Sequence, residues 1–211
     1  MYLGIVTTSY SGAFFTPTIL KQLGWTSIRA QVMSIPIYIV ATILALTTAV
    51  LTDQLKHRFG FIIFGCLVAS VGYAILLNMK SVPVGARYFA VYAITAGGYI
   101  AQPVTIVWLS NNVSGHYKRG VSSAMQIGLG NIGGIIASNI YLNSQAPYYP
   151  VGLGVGLGLV WLCALAAVAL LGYVMMENRR RKQGKRNWLL SLPKEELDNM
   201  GDDHQDFRFT Y

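Results

Sequence analysis

Between residues 1 and 176 the sequence contains a single acidic side chain, Asp53. Over the same stretch, apolar runs recur with short polar breaks between them, and about 20 apolar residues of helix span the hydrocarbon core of a bilayer. A water-facing surface cannot be built from such material. Only 11% of the chain is charged, against roughly 25% in ordinary soluble domains. The chain reads as a multi-pass, all-α membrane protein.

Six spans are expected, at 1–20, 30–51, 61–79, 88–109, 121–142 and 151–176. Lipid cannot satisfy unpaired backbone groups, so segments of this length must be helical. VGLGVGLG at 151–158 alternates like a strand, but it runs unbroken into LVWLCALAAVALLGYVMM, and length decides for helix. Residues 1–176 are thus expected to form a six-helix transmembrane bundle, and 177–211 a cytosolic tail, first basic and then acidic. The first span lacks the basic leader and cleavage site of a signal peptide and reads as a retained helix. Its abrupt start points to one part of a longer design.

Short loops rich in Lys and Arg mark the cytosolic side. Lys56 and Arg58, Lys118 and Arg119, and the six basic residues of ENRRRKQGKR fall on one side; Lys21, Arg29, Lys80 and Arg87 fall on the other. Ten against four places both ends of the chain in the cytosol. The net charge of +8 is mostly this bias, so a nucleic-acid partner is not expected. Arginine-rich NRRRKQGKR is expected at anionic headgroups. The acidic remainder is expected to be solvated, with a short helix starting near Ser191 and Pro193; a docking role is the alternative. Asn112-Val113-Ser114 matches a glycosylation sequon but lies on the cytosolic side.

Residues 128–134 read GLGNIGG and contain a literal G-x-G-x-x-G. A dinucleotide site needs a strand before it and an acid about 20 residues after it, and neither is present. Inside a membrane helix, small residues four apart let backbones approach closely. Gly130, Gly133 and Gly134 are therefore assigned to helix packing.

Polar side chains in a membrane helix face other helices or a water-filled cavity. On the fourth span Tyr88, Tyr92, Thr95, Tyr99 and Gln102 share one face, with Phe89, Ala93, Ala96 and Ile100 on another. The second span repeats the pattern with Gln31, Ser34, Tyr38 and Thr42, and the first offers Thr7, Tyr10 and Phe14. Asn131 brings an amide from the fifth. These stripes are either a substrate cavity or packing surfaces whose hydroxyls bond neighbouring helices. The candidate binding set is Tyr10, Tyr38, Tyr99, Gln102 and Asn131. Pro17, Pro36 and Pro103 can kink their helices, and Gly97–Gly98 precedes Pro103; Pro103 is a candidate gating position.

No catalytic or metal-binding cluster is found. His57, His116 and His204 lie in loops or tail without ligand spacing, and Cys66 and Cys163 read as structural thiols. An enzyme is not expected, nor a cofactor.

Together, AFFTPTILKQLGWTSIRAQVMSIPIY, VLTDQLKHRFG, QPVTIVWLSNNVSGHYKRG, GNIGGIIASNIY, QAPYYPVG and DDHQDFRFTY resemble, in order and over nearly the whole chain, the C-terminal six-helix half of a twelve-helix major facilitator superfamily transporter. The resemblance is to the fungal anion:cation symporter group of allantoate, pantothenate and nicotinate permeases, nearest the nicotinate branch. It implies that the spans are helices 7 to 12 and that TDQLKHRFG is a degenerate copy of the family's loop motif. Asp53, Arg58 and Gly60 match that motif, whose acid caps a helix of the other half and locks a gate. It further implies a site between halves near the midplane, lined by helices 7, 8, 10 and 11. The expected activity is proton-coupled uptake of a small organic anion at the plasma membrane. No Lys or Arg lies deep within the six spans, so the substrate's cation and any coupling acid are expected from a missing N-terminal half. A non-transporting nutrient sensor and an inactive truncated product remain as alternatives.

Overall fold

A computed structural model of the chain describes residues 1–22, 24–184, 201–205 and 207–211. Among the described residues six α-helices follow one another: α1 Tyr2–Gln22, α2 Ser27–Leu55, α3 Arg58–Leu77, α4 Val84–Asn112, α5 His116–Ile140 and α6 Pro150–Lys182. Short 3-10 turns lie at Met79–Ser81, Asn143–Gln145 and Gly201–Asp203. Lys185, Arg186 and the helix start expected near Ser191 and Pro193 fall outside the described residues.

Local chemistry sets the helix ends. Thr26 caps α2, its hydroxyl accepting the Arg29 N–H at 3.4 Å. Lys56 ends α2 in the left-handed conformation, its N–H returning to Thr52 O. Pro150 opens α6 at a position where its missing N–H costs nothing. Within the helices, hydroxyls are satisfied by the preceding turn: Thr7 donates to Leu3 O at 2.8 Å, Thr47 to Ile43 O at 2.8 Å and Ser70 to Cys66 O at 2.7 Å. The helices continue through Pro17, Pro36 and Pro103.

Among the described residues, four helices are long and apolar enough to cross a membrane: α2, α3, α4 and α6. α1 and α5 have 21 and 25 residues, enough length at about 1.5 Å per residue to cross a bilayer core. Their hydroxyls, amides and glycines dilute the apolar content, which is why hydropathy separates them from the other four.

α1 packs against α2, α4, α5 and α6, while α3 packs against α4 and α6. Trp108, Tyr73, Ile5, Leu20 and Ile62 are fully buried between them. Phe64, Leu67 and Val71 of α3 and Leu162, Leu165 and Val168 of α6 point outward, as lipid-facing side chains do.

Glycines set the closest crossings. A Cβ on Gly65 would stand 2.8 Å from Gly97 O, and one on Gly72 would stand 2.6 Å from Ala90 O, so α3 and α4 meet backbone to backbone. Gly97 therefore marks a close contact of α4 with α3, and Gly98 lies against Ser9 of α1. α5 meets α1 in the same way: a Cβ on Gly133 would lie 2.5 Å from Thr7 Oγ1, and one on Gly130 would enter the Tyr2 ring. Gly134 is looser, with the Tyr10 ring at 3.4 Å. All of GLGNIGG is helical.

The breaks α2–α3 and α4–α5, the end of α6 and the segment 207–211 gather at one end of the bundle, the basic end. Arg58 N–H donates to Tyr211 O at 2.7 Å, and Trp108 Nε1 donates to Thr210 O at 3.0 Å. Residues 207–211 thus lie on the helix ends, where solvent was expected, and most of the rest of the expected tail falls outside the described residues. α6 likewise runs beyond the expected limit at 176, and Arg181 is buried in protein instead of lying at headgroups. At the opposite end Lys80 sits over the Tyr148 ring, 5.2 Å from its centroid.

Candidate functional site

The polar stripe of α4 divides in two. Tyr88 and Tyr92 serve packing: Tyr88 OH donates to Met33 O of α2 at 2.9 Å, lies 3.2 Å from Tyr92 OH, and its ring meets Trp25 edge-on at 5.2 Å. Thr95 is buried. Further along, Tyr99 and Gln102 are half-buried on the face that α4 turns toward α1 and α2.

On that face the helices meet through polar and aromatic groups. Gln102 Oε1 accepts from Ser9 Oγ of α1 at 2.8 Å. Tyr99 meets Tyr38 of α2 edge to face, ring centroids 6.3 Å apart. Tyr10 OH donates to Asn131 Oδ1 of α5 at 3.1 Å, and its ring stacks on Phe14 at 5.9 Å. Tyr38, with Ser34 and Thr42, also lines a groove of about 430 Å³ along α2, walled by Ile35, Ile39 and Ile43. Asn131 is exposed; Tyr10, Tyr38, Tyr99 and Gln102 are half-buried.

The five candidate residues thus come from α1, α2, α4 and α5, and the structure joins them pairwise: Tyr10 with Asn131, and Tyr38 with Tyr99. Gln102 is tied to α1 through Ser9, next in sequence to Tyr10. Hydroxyls and amides of this kind can donate to and accept from a polar ligand, and the rings can stack on a flat one. Thr7 departs from its expected stripe, since it is fully buried against Gly133. Phe89, on the face of α4 away from the polar stripe, is 61% exposed.

Sequence reasoning missed Ser9. Its signal was present, a hydroxyl beside Tyr10 in an apolar run, but its partner lies 93 residues away, and helix periodicity carries no information about that distance.

The loop-motif residues sit at the basic end. Asp53 lies on the last turn of α2 and Arg58 is the first residue of α3, so the break itself is only Lys56–His57. Arg58 is 7% exposed, and its Nη2 meets Asp53 Oδ1 at 3.1 Å. The Asn111 amide, with its oxygen toward the guanidinium, accepts from Nε at 3.0 Å and Nη2 at 2.7 Å. The described partner of Asp53 is therefore Arg58 of the same chain. Pro103 lies one residue beyond Gln102 inside α4.

Among the described residues no group of three His, Cys, Asp or Glu side chains could hold a metal ion. Cys66 and Cys163 are free and buried.

Known proteins supply the remaining comparison. No family model matches the chain, and no solved structure matches it. An MFS-type transporter of Penicillium expansum is 34% identical over 96% of this chain and 40% of its own length. An uncharacterized transporter of Schizosaccharomyces pombe is 37% identical over 82% of this chain and 34% of its own. The high-affinity nicotinic acid transporter of Saccharomyces cerevisiae is 30% identical over 99% of this chain and 39% of its own. The chain spans about two fifths of the length of these curated relatives. With four helices apolar enough to cross a membrane and relatives of this kind, the chain is a multi-pass membrane protein homologous to fungal transporters of the major facilitator superfamily.

Proposed function

We propose that the chain is the C-terminal six-helix half of a secondary transporter of the fungal anion:cation symporter group, taking up a small organic anion together with protons at the plasma membrane, with both ends cytosolic. In this reading all six helices cross the bilayer. The observation that carries it is a set of polar and aromatic contacts among four of the helices. α1, α2, α4 and α5 meet through hydroxyls, amides and rings centred on Gln102 and Tyr99, while outward side chains on α2, α3, α5 and α6 are largely apolar. Carriers built of two bundles place substrate between them near the midplane, and a half-carrier needs such groups.

Tyr10, Tyr38, Tyr99, Gln102 and Asn131 are the proposed substrate contacts. None of them is charged, so the cation that neutralises the anion, and the acid that couples protons, belong to the other half. By itself this bundle does not carry out alternating access. Nicotinate is the first substrate to test, because one relative is a nicotinic acid transporter.

The test is a chimera in which this chain replaces the matching region of the yeast nicotinic acid transporter, expressed in cells lacking that protein. Uptake of labelled nicotinate, pantothenate or allantoate by the chimera, and none by residues 1–211 expressed alone, supports the reading. A chimera abundant at the surface that takes up none of the three contradicts the substrate class. Saturable uptake by the chain alone contradicts the half-transporter reading.

A further inference from the structure

Residues 201–205 and 207–211, called the segment below, are held by side chains of α4, α5 and α6 and by one backbone N–H of α3, mostly through their own backbone. Asn112 of α4 takes the Thr210 N–H on Oδ1 at 2.8 Å, while Trp108 Nε1 donates to Thr210 O at 3.0 Å. Asn178 of α6 makes the same two-sided contact one residue earlier: Phe209 N–H donates to its Oδ1 at 3.1 Å, and its Nδ2 donates to Phe209 O at 2.9 Å. The first residue of α3 donates to Tyr211 O. From α5, Lys118 Nζ meets both carboxylate oxygens of Asp202 at 2.7 Å, and this contact raises the Lys118 pKa above its ordinary value.

Arg181 is the centre of the arrangement. Its side chain is 1% exposed, and burying a guanidinium is costly unless every donor is met. Nε pairs with Glu177 Oε1 at 3.1 Å, one turn back on α6. Nη1 donates to the carbonyls of Asp202, His204 and Phe207 at 3.0, 3.1 and 3.0 Å. The guanidinium also lies over the Phe209 ring, 4.6 Å from its centroid. Three of its acceptors and one of its faces come from the segment. Of the side-chain contacts described, the one to Glu177 is independent of the segment.

We propose that residues 201–205 and 207–211 form a peptide clasp, bound in a site made by Trp108, Asn112, Lys118, Asn178 and Arg181, that fixes the basic ends of α3, α4, α5 and α6 relative to one another. Paired amide contacts to successive backbone groups are how an extended peptide is held with little regard to its side chains. Arg181 is the positioning residue, and the segment supplies three of its acceptors. Opening the clasp lets the helix ends separate, so it sets the rigidity of this end of the bundle. The proposal stands on these contacts and not on the transport reading.

The test uses the purified chain with both native cysteines replaced by Ala. A cysteine at Thr210, whose contacts are mostly backbone, is expected to react with a maleimide at least about tenfold more slowly than one at Tyr117, which is 86% exposed. Equal rates overturn the clasp, and this comparison needs no variant of the site. In the native-cysteine chain, Arg181→Gln should raise amide exchange over 105–112 and 174–182 while leaving 27–40 unchanged. Arg181→Lys, which keeps the charge but not the fork of donors, should fall between. Arg180→Gln, altering an exposed neighbour, should change nothing. A truncated chain lacking 201–211 should regain protection when a synthetic peptide of that sequence is added. Exchange that is unaltered by removal of the segment overturns the proposal.

Discussion

Gln102 and Ser9 join α4 to α1 through one hydrogen bond of 2.8 Å on a half-buried face. Ser9 has a second acceptor within reach, Ile5 O at 3.3 Å on its own helix. Replacing Gln102 by Ala therefore removes a group aimed at the polar face without stranding the hydroxyl. The expected loss of stability is about 1 kcal/mol or less, seen as a small drop in Tm in detergent and normal surface abundance. A collapse in abundance would make Gln102 a packing residue.

Gly133 and Gly134 are neighbours with opposite tolerances. A Cβ at Gly133 meets Thr7 Oγ1 and the Leu3 carbonyl, so Gly133→Val should cost about 1–3 kcal/mol through overpacking. At Gly134 the nearest atoms are at ordinary contact distance, and Gly134→Ala should be neutral or stabilising, since Ala gains up to about 1 kcal/mol over Gly inside a helix. Thermal unfolding of the two variants decides; the reverse order would refute the packing of α5 on α1.

Tyr10 and Asn131 should be coupled. Tyr10→Phe and Asn131→Ala each remove one side of the 3.1 Å bond, so the double variant should be less destabilised than the sum by about 0.5 kcal/mol. Strict additivity would mean that the bond contributes nothing.

Orientation rests on the basic breaks. A cysteine at Ser144 should react with an impermeant thiol reagent outside intact cells, and one at Ser114 should not. The opposite labelling would invert the topology. Asn112 should carry no glycan, both because of its side and because its amide is engaged by Thr210.

Much of the fold was legible from periodicity and hydropathy: the six helices and their breaks need only local information. What stayed hidden depends on pairs distant in sequence. Gly65 and Gly97 look unremarkable alone and acquire meaning only where α3 crosses α4. A stripe on α4 shows which residues share a face, but not that Tyr88 would bond Met33 while Gln102 would bond Ser9. Phe89, Ala93, Ala96 and Ile100 share a face in sequence, yet Phe89 is exposed while the other three are buried, since in a membrane apolar side chains face outward as readily as inward. The tail was hardest. Its charges predict solvation, whereas residues 207–211 are held by the buried Arg181 and by Trp108, Asn112 and Asn178, all distant in sequence.

The central claim is that the face shared by α1, α2, α4 and α5 handles substrate, and uptake by the chimera with the yeast nicotinic acid transporter tests it most directly. At matched surface abundance, Tyr99→Ala and Gln102→Ala should each lower kcat/KM for nicotinate about tenfold, equivalent to about 1.4 kcal/mol, while outward-facing Phe89→Ala transports like the parent. Parental uptake by both the Tyr99 and Gln102 variants would contradict the claim and leave the face as a packing surface.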